Sequence, residues 1–158
     1  YPLRAQALPV LPLVTEVIQT HRSLWQHQRL HNRVVAADEA ASDAQPVVLG
    51  EAALCRVILQ NLLKNAWEAS PPDGEVVLSW RVDAKRWTAR ITNSGVVPPA
   101  IRERFFDKYV TAGKADGTGL GTYSARLLTG VQHGTLSFEV DDTQHTTTLI
   151  WSMPLALD

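Results

Sequence analysis

The sequence predicts an α+β two-layer sandwich, with helices on one face of a mixed, mainly antiparallel sheet. Three observations lead there. Two segments repeat apolar residues at helical spacing: Leu13/Val14, Val17/Ile18 and Leu24/Trp25, then Leu54/Cys55, Ile58/Leu59, Leu62/Leu63 and Ala66. Two later segments alternate apolar and polar residues on either side of a "DAK" turn. A further helical segment then precedes two more strand-like runs, "GTLSFEV" and "TTTLIWSMP". The order is α, α, β, β, short α, glycine loop, α, β, β, with no internal repeat.

The first helix is expected from Pro12, which suits a first helical turn, to about Arg29. "AADEAASDAQP" (36–46) is small, acidic and aperiodic, so it reads as a surface loop. The second helix is expected from about Glu51 to Ala69 and is stopped by "SPPDG". In the hairpin, Val76, Leu78, Trp80 and Val82 alternate outward, and Trp87, Ala89 and Ile91 alternate back. "PPAIRERFF" (98–106) is a short helix opened by proline, and "TYSARLLTG" is a helix closed by Gly130. Trp25, Trp67, Trp80, Trp87 and Trp151 fall at packing positions.

The 158 residues fit one domain. Fifteen basic against sixteen acidic residues give no electrostatic reason to expect nucleic acid or an anionic membrane surface. No apolar run approaches the roughly 18 residues of a membrane span. The single Cys55 permits no internal disulfide or cysteine-based metal site and reads as a core residue. The chain starts at Tyr1 and its one methionine is Met153. It therefore reads as a piece of a longer protein, with residues 1–11 a linker from an upstream region and 12–158 the domain.

Three stretches carry chemistry. In "NLLKNAWEAS", Asn61, Asn65 and Glu68 stand at i, i+4 and i+7 and share one helical stripe. Asparagine is a poor helix former, so two on one face beside a leucine stripe need a reason. Amide oxygens aimed into a cleft suit a hard cation such as Mg²⁺, which takes substrate phosphates as further ligands. In "TNSGVVPP", Asn93 ends a strand and Gly95 allows a close backbone approach. In "DKYVTAGKADGTGLGTYSAR", four of the chain's nine glycines stand directly before a helix, with Thr118 a candidate N-cap. Backbone N–H groups exposed at a helix N-terminus form an anion site matched to phosphate, and Lys114 adds a point charge. The spacing is neither the Rossmann nor the Walker pattern.

Taken together, these stretches resemble the GHKL ATPase superfamily, named for gyrase, the heat-shock chaperone ATPases, histidine kinases and MutL. The nearest resemblance is to the ATP-binding catalytic domain of sensor histidine kinases. "NLLKNAWEAS" looks like the N box, "NSGVVP" the first glycine box, "RERFFDKYVT" the F box and "GTGLGTYSA" the second glycine box. The similarity runs from about Leu13 to Pro154.

The resemblance implies the Bergerat fold, with ATP between the helix layer and a mobile lid over residues 107–117. It implies Asn65 as the Mg²⁺ ligand, supported by Asn61, with Lys114 the third catalytic candidate. Asn93 would accept from the adenine amine and Gly95 would give the base room. Lys108, Tyr109, Thr111, Gly117, Thr118, Gly119, Leu120 and Gly121 complete the nucleotide site, and Phe105 and Phe106 anchor the base of the lid. The cofactors implied are ATP and Mg²⁺. The implied partners are an upstream dimerisation domain bearing the acceptor histidine and a response regulator. A cytoplasmic domain follows, including as the cytoplasmic part of a membrane-anchored sensor, with no direct membrane contact of its own.

Four departures matter. The family usually has Asp where Asn93 stands, and a second glycine where Val96 and Val97 follow Gly95. Glu68 stands where many kinases carry a basic residue, which leaves the γ-phosphate to Lys114 or Lys108. Asn61 stands where the hydrolysing relatives carry a glutamate. An amide is no base, which favours phosphoryl transfer to a positioned acceptor over direct hydrolysis. None of His21, His27, His31, His133 and His145 is followed by the usual acceptor-box sequence. An anti-sigma-type serine kinase and a degenerate interaction module are the alternatives.

Overall fold

The computed structural model describes residues 1–110 and 121–157. In chain order its elements are β1 (Gln6–Pro9), α1 (Val10–Thr20), α2 (Arg22–Gln26), β2 (His31–Ala36), β3 (Val47–Gly50), α3 (Ala52–Ala69), β4 (Glu75–Val82), β5 (Arg86–Ser94), α4 (Gly121–Val131), β6 (Thr135–Asp141) and β7 (Thr146–Pro154). Short 3-10 segments occupy Glu39–Ala41 and Pro99–Arg104.

The main sheet has the order β2-β4-β5-β7-β6. β2 runs parallel to β4, and the other neighbours are antiparallel, so the sheet is mixed and mainly antiparallel as expected. Register sorts the side chains into rows on one face. Leu78, Ile91, Leu149 and Phe138 form one row, and Trp80, Ala89, Trp151 and Leu136 the next. The helices cover that face, with α3 packed on β5 and α4 on β6. Trp67, Trp80, Trp87 and Trp151 are all buried, and the rings of Trp87 and Trp151 meet edge-on at 5.4 Å. The opposite face is polar: Arg90 pairs with Glu139, and the hydroxyls of Thr92 and Thr148 lie 2.8 Å apart.

The structure corrects four expectations. Residues 1–11 are not all linker: Gln6–Pro9 pairs antiparallel with Val47–Gly50, and Val10 opens α1 fully buried. The backbone of β1 finds its hydrogen bonds in β3, which itself read as part of no element because it spans only four residues. The helix expected to about Arg29 breaks at His21, whose Nδ1 and backbone N–H both approach the Val17 carbonyl. Trp25 remains half-buried, with its indole N–H on the Ile18 carbonyl, but Leu24 is exposed. β2 was unforeseen because its parallel partner arrives more than forty residues later (His31 opposite Glu75). Finally, Gly130 lies inside α4. The stop comes from His133 in the left-handed region (φ 64°), with the N–H groups of His133 and Gly134 on the carbonyls of Gly130 and Thr129. That is the Schellman pattern. A Cβ at Gly134 would lie 2.6 Å from the Ser152 carbonyl oxygen, so this position requires glycine.

No helix among the described residues is long and apolar enough to cross a membrane.

Candidate functional site

The site is built along α3. Cys55, Ile58, Leu59, Leu62, Leu63, Ala66 and Trp67 are buried along its inner face. Burying one leucine is worth about 1.5–3 kcal/mol. The helix penalty of an asparagine is at most about 0.7 kcal/mol. The apolar face therefore outweighs the two asparagines severalfold, and the helix persists with Asn61 and Asn65 half-buried beside it. Glu68 is exposed. Cys55 is fully buried as expected, and burial raises its thiol pKa to about 11.

At one end of the stripe, α3 packs against α4. A Cβ at Gly121, the first residue of α4, would lie 3.6 Å from Asn61 Oδ1. A methyl group there would fit the protein but fill the space in front of the amide. At the other end, Gly95 adopts φ 115°, and a Cβ on it would lie 2.9 Å from the Ala69 carbonyl oxygen at the last turn of α3. Eight residues separate Asn61 from Ala69, about 12 Å along the axis, with Asn65 halfway. The three sequence stretches thus meet on one helix.

Asn93 lies beside Gly95 at the end of β5, between Val76 of β4 and Thr147 of β7. It is only 1% exposed. Its Nδ2 donates to the Ser94 carbonyl at 2.8 Å. That bond uses one of the two amide N–H groups and fixes the orientation of the carboxamide, whose oxygen makes no hydrogen bond among the described residues. Gly95 is fixed from two sides: its N–H donates to the His145 carbonyl (2.7 Å) and its carbonyl accepts from Thr147 Oγ1 (2.8 Å).

Phe105 is buried and packs on Phe138 with ring centroids 4.6 Å apart, while Phe106 meets Phe105 at 5.1 Å. Thr122 Oγ1 donates to the Phe105 carbonyl, fastening the F-box segment to the first turn of α4. Lys108 Nζ stands 5.2 Å over the Tyr123 ring, and Tyr109 is 70% exposed with φ 65°. These two candidates are described against α4 and solvent, not against Asn61 or Asn93. Thr111, Lys114, Gly117, Thr118, Gly119 and Leu120 lie outside the described residues, as does the expected lid from Thr111 onward.

Sequence reasoning missed Thr147, Arg102 and Asp142. Thr147 sits in a strand pattern in which every second residue points inward, and only the register places it beside Gly95.

The family model described as "Histidine kinase-, DNA gyrase B-, and HSP90-like ATPase" matches residues 50–157. The chain is 34% identical over 103 residues to the sensor protein TorS of Escherichia coli (strain K12), covering 63% of this chain and 11% of TorS. It is 27% identical over 154 residues to the sensory/regulatory protein RpfC of Xanthomonas campestris pv. campestris, covering 90% of this chain and 21% of RpfC. The chain thus spans only about a tenth to a fifth of those relatives. Among solved structures, the mycobacterial sensor histidine kinase MprB superposes with a TM-score of 0.82 at 18% identity, covering 98% of this chain and 100% of that one. Full-length ShkA in complex with AMPPNP gives 0.82 at 20%, covering 100% of this chain and 32% of that one. Histidine kinase ThkA in complex with the response regulator TrrA gives 0.78 at 19%, covering 98% and 42%. At these identities the structural likeness establishes the fold, which is that of histidine kinase catalytic domains.

Proposed function

Because this chain belongs to the histidine kinase-, DNA gyrase B- and HSP90-like ATPase family, we propose that it receives Mg·ATP along α3 and passes the terminal phosphoryl group to a histidine outside this chain. One observation carries the reading: α3 brings Asn61 to Gly121 at one end and Ala69 to Gly95 and Asn93 at the other. A ligand with a base at one end and phosphates at the other matches a wall of that kind.

Each residue then has a task. Asn93 Oδ1 accepts from the exocyclic amine of adenine, in the orientation that the Nδ2 bond to the Ser94 carbonyl holds. Gly95 keeps the floor beside the base free of a side chain. Asn65 offers an amide oxygen to Mg²⁺, a hard cation that favours oxygen ligands and supplies charge neutralisation between phosphates when bound. The amide-oxygen donors fit that ion, and the lack of a side chain at Gly121 leaves Asn61 Oδ1 uncovered from that residue. Asn61 orients without acting as a base, so water is not activated and a positioned acceptor is favoured. Lys114 and the glycines 117–121 are assigned to the phosphates by their motif.

The acceptor domain and a response regulator are the partners in this proposal, as ThkA is bound to TrrA in its complex. Phe106, Lys108, Tyr123, Leu127 and Val131 line an opening of about 560 Å³ on the outer side of α4. Leu127 is 55% exposed there, which makes this an apolar surface close to the phosphate end of the cleft.

Calorimetry with and without Mg²⁺ tests the proposal, together with transfer to an added acceptor domain. Wild type should bind Mg·ATP and yield an acid-labile phospho-product. Asn65→Ala should lose at least about tenfold in metal-dependent affinity, the scale on which ligand-shell changes act. No binding at millimolar ATP, or an Asn65→Ala protein indistinguishable from wild type, sinks it. An acid-stable product points instead to a serine acceptor.

A further inference from the structure

After Gly95 the loop continues with Val96 and Val97, and the groups that hold it come from elsewhere in the chain. Gly95 N–H bonds the His145 carbonyl in the β6–β7 turn (2.7 Å). Two residues on, the Val97 carbonyl accepts from Arg102 Nε at 2.8 Å, and Val97 is buried. The same guanidinium reaches the β6–β7 turn with its other two nitrogens: Nη1 lies 2.9 Å from Asp142 Oδ2 and Nη2 2.7 Å from Asp142 Oδ1. Asp142 itself is three residues from His145. The β6–β7 turn and the Pro99–Arg104 segment therefore grip residues 95–97 between them.

We infer that Arg102 and Asp142 are positioning residues for the purine base, acting through the 95–97 backbone and touching no ligand themselves. The inference rests on the ATP-binding reading above. Ordinary surface ion pairs contribute little, because two long side chains must be ordered in water. This one differs in geometry. The fork is bidentate, a third donor of the same group is spent on backbone, and Arg102 is 26% exposed. A brace of this form restrains the 95–97 backbone from outside the loop. Its worth should appear in base recognition more than in folding, since Arg102 and Asp142 are themselves outside the core.

The test uses the whole chain with Asp142→Arg, Arg102→Asp and the double exchange. ATP, adenosine and Mg·tripolyphosphate are titrated separately by calorimetry, and thermal unfolding is followed in parallel. Each single variant should bind ATP and adenosine about fivefold more weakly, the scale of one ordinary hydrogen bond felt indirectly through the backbone, with tripolyphosphate affinity unchanged. The double variant should recover part of the loss, since the ion pair is rebuilt but the Val97 bond is not. Unchanged adenosine affinity in the single variants overturns the inference while leaving ATP binding intact. Equal losses for adenosine and tripolyphosphate, or no recovery in the double variant, also overturn it, because they mean general damage. A wild-type chain that binds no nucleotide overturns this inference and the proposed function together.

Discussion

Replacing Gly95 by alanine should unfold the protein at a much lower temperature, and the structure sets the size of the effect. The residue holds φ 115°, where a Cβ costs about 1–3 kcal/mol. The added methyl carbon would also stand 2.9 Å from the Ala69 carbonyl oxygen. That atom is backbone in the last turn of α3, so it cannot swing aside as a side chain would. Relief requires the loop to move, which stretches the bonds to His145 and Thr147, each worth about 0.5–1.5 kcal/mol net. Because the two bonds are stretched rather than lost, the total is about 2–4 kcal/mol, a large part of a typical stability of about 5–15 kcal/mol. At about 2–4 °C per kcal/mol for a chain of this size, Tm should fall by about 5–15 °C. Gly130→Ala supplies the control. That glycine lies within α4, with nothing within 4 Å of an added Cβ. Alanine should stabilise there by about 0.5–1 kcal/mol. Urea and thermal unfolding of both variants give the comparison. A Gly95→Ala protein within about 0.5 kcal/mol of wild type would refute the close approach between this loop and α3.

Two further outcomes follow from titrating groups. Cys55, fully buried with its thiol pKa raised to about 11, should resist a thiol reagent at pH 8 in the native protein and react at once in denaturant; rapid native labelling would contradict its burial. Asp73 and Asp142 have lowered pKa values, first through hydrogen bonds from Arg29 and Arg102 respectively. A lowered folded-state value means that their contribution is complete above the ordinary aspartate pKa of about 3.9 and is lost as pH falls through the lower folded value. Asp142→Asn should therefore lower Tm slightly near pH 7, where the contribution is complete, and converge on wild type at the acid end, so that part of the acid limb flattens; an unchanged acid limb would remove this linkage.

Much of the fold was legible because its signals are local. The α3 stripe, the β4–β5 alternation and the last two strands each lie within one window of sequence, and burial followed them. β1, β2 and β3 were not legible. Two of them are four residues long, and all three depend on partners distant in sequence. The α1 break depends on where the His21 ring goes, which no periodicity encodes. In the site, Asn61, Asn65, Asn93, Gly95 and Gly121 could be named from motifs because their chemistry is unusual for their positions. Thr147, Arg102 and Asp142 could not, because threonine in a strand and charges on a turn are ordinary until register joins them to Gly95 and Val97.

The three asparagines proposed to meet the nucleotide, Asn61 and Asn65 on α3 and Asn93 on β5, all carry carboxamides. A carboxamide neither gains nor loses a proton across the range in which cells operate. Where a carboxylate would couple base recognition to proton uptake, the three proposed asparagines would receive a nucleotide without changing their own charge. Proton linkage of nucleotide binding at this wall is then left to the nucleotide's terminal phosphate, which titrates with a pKa near about 6 in ordinary phosphate monoesters. As proposed, this set of three asparagines reads shape and hydrogen-bond polarity and is itself indifferent to acidity.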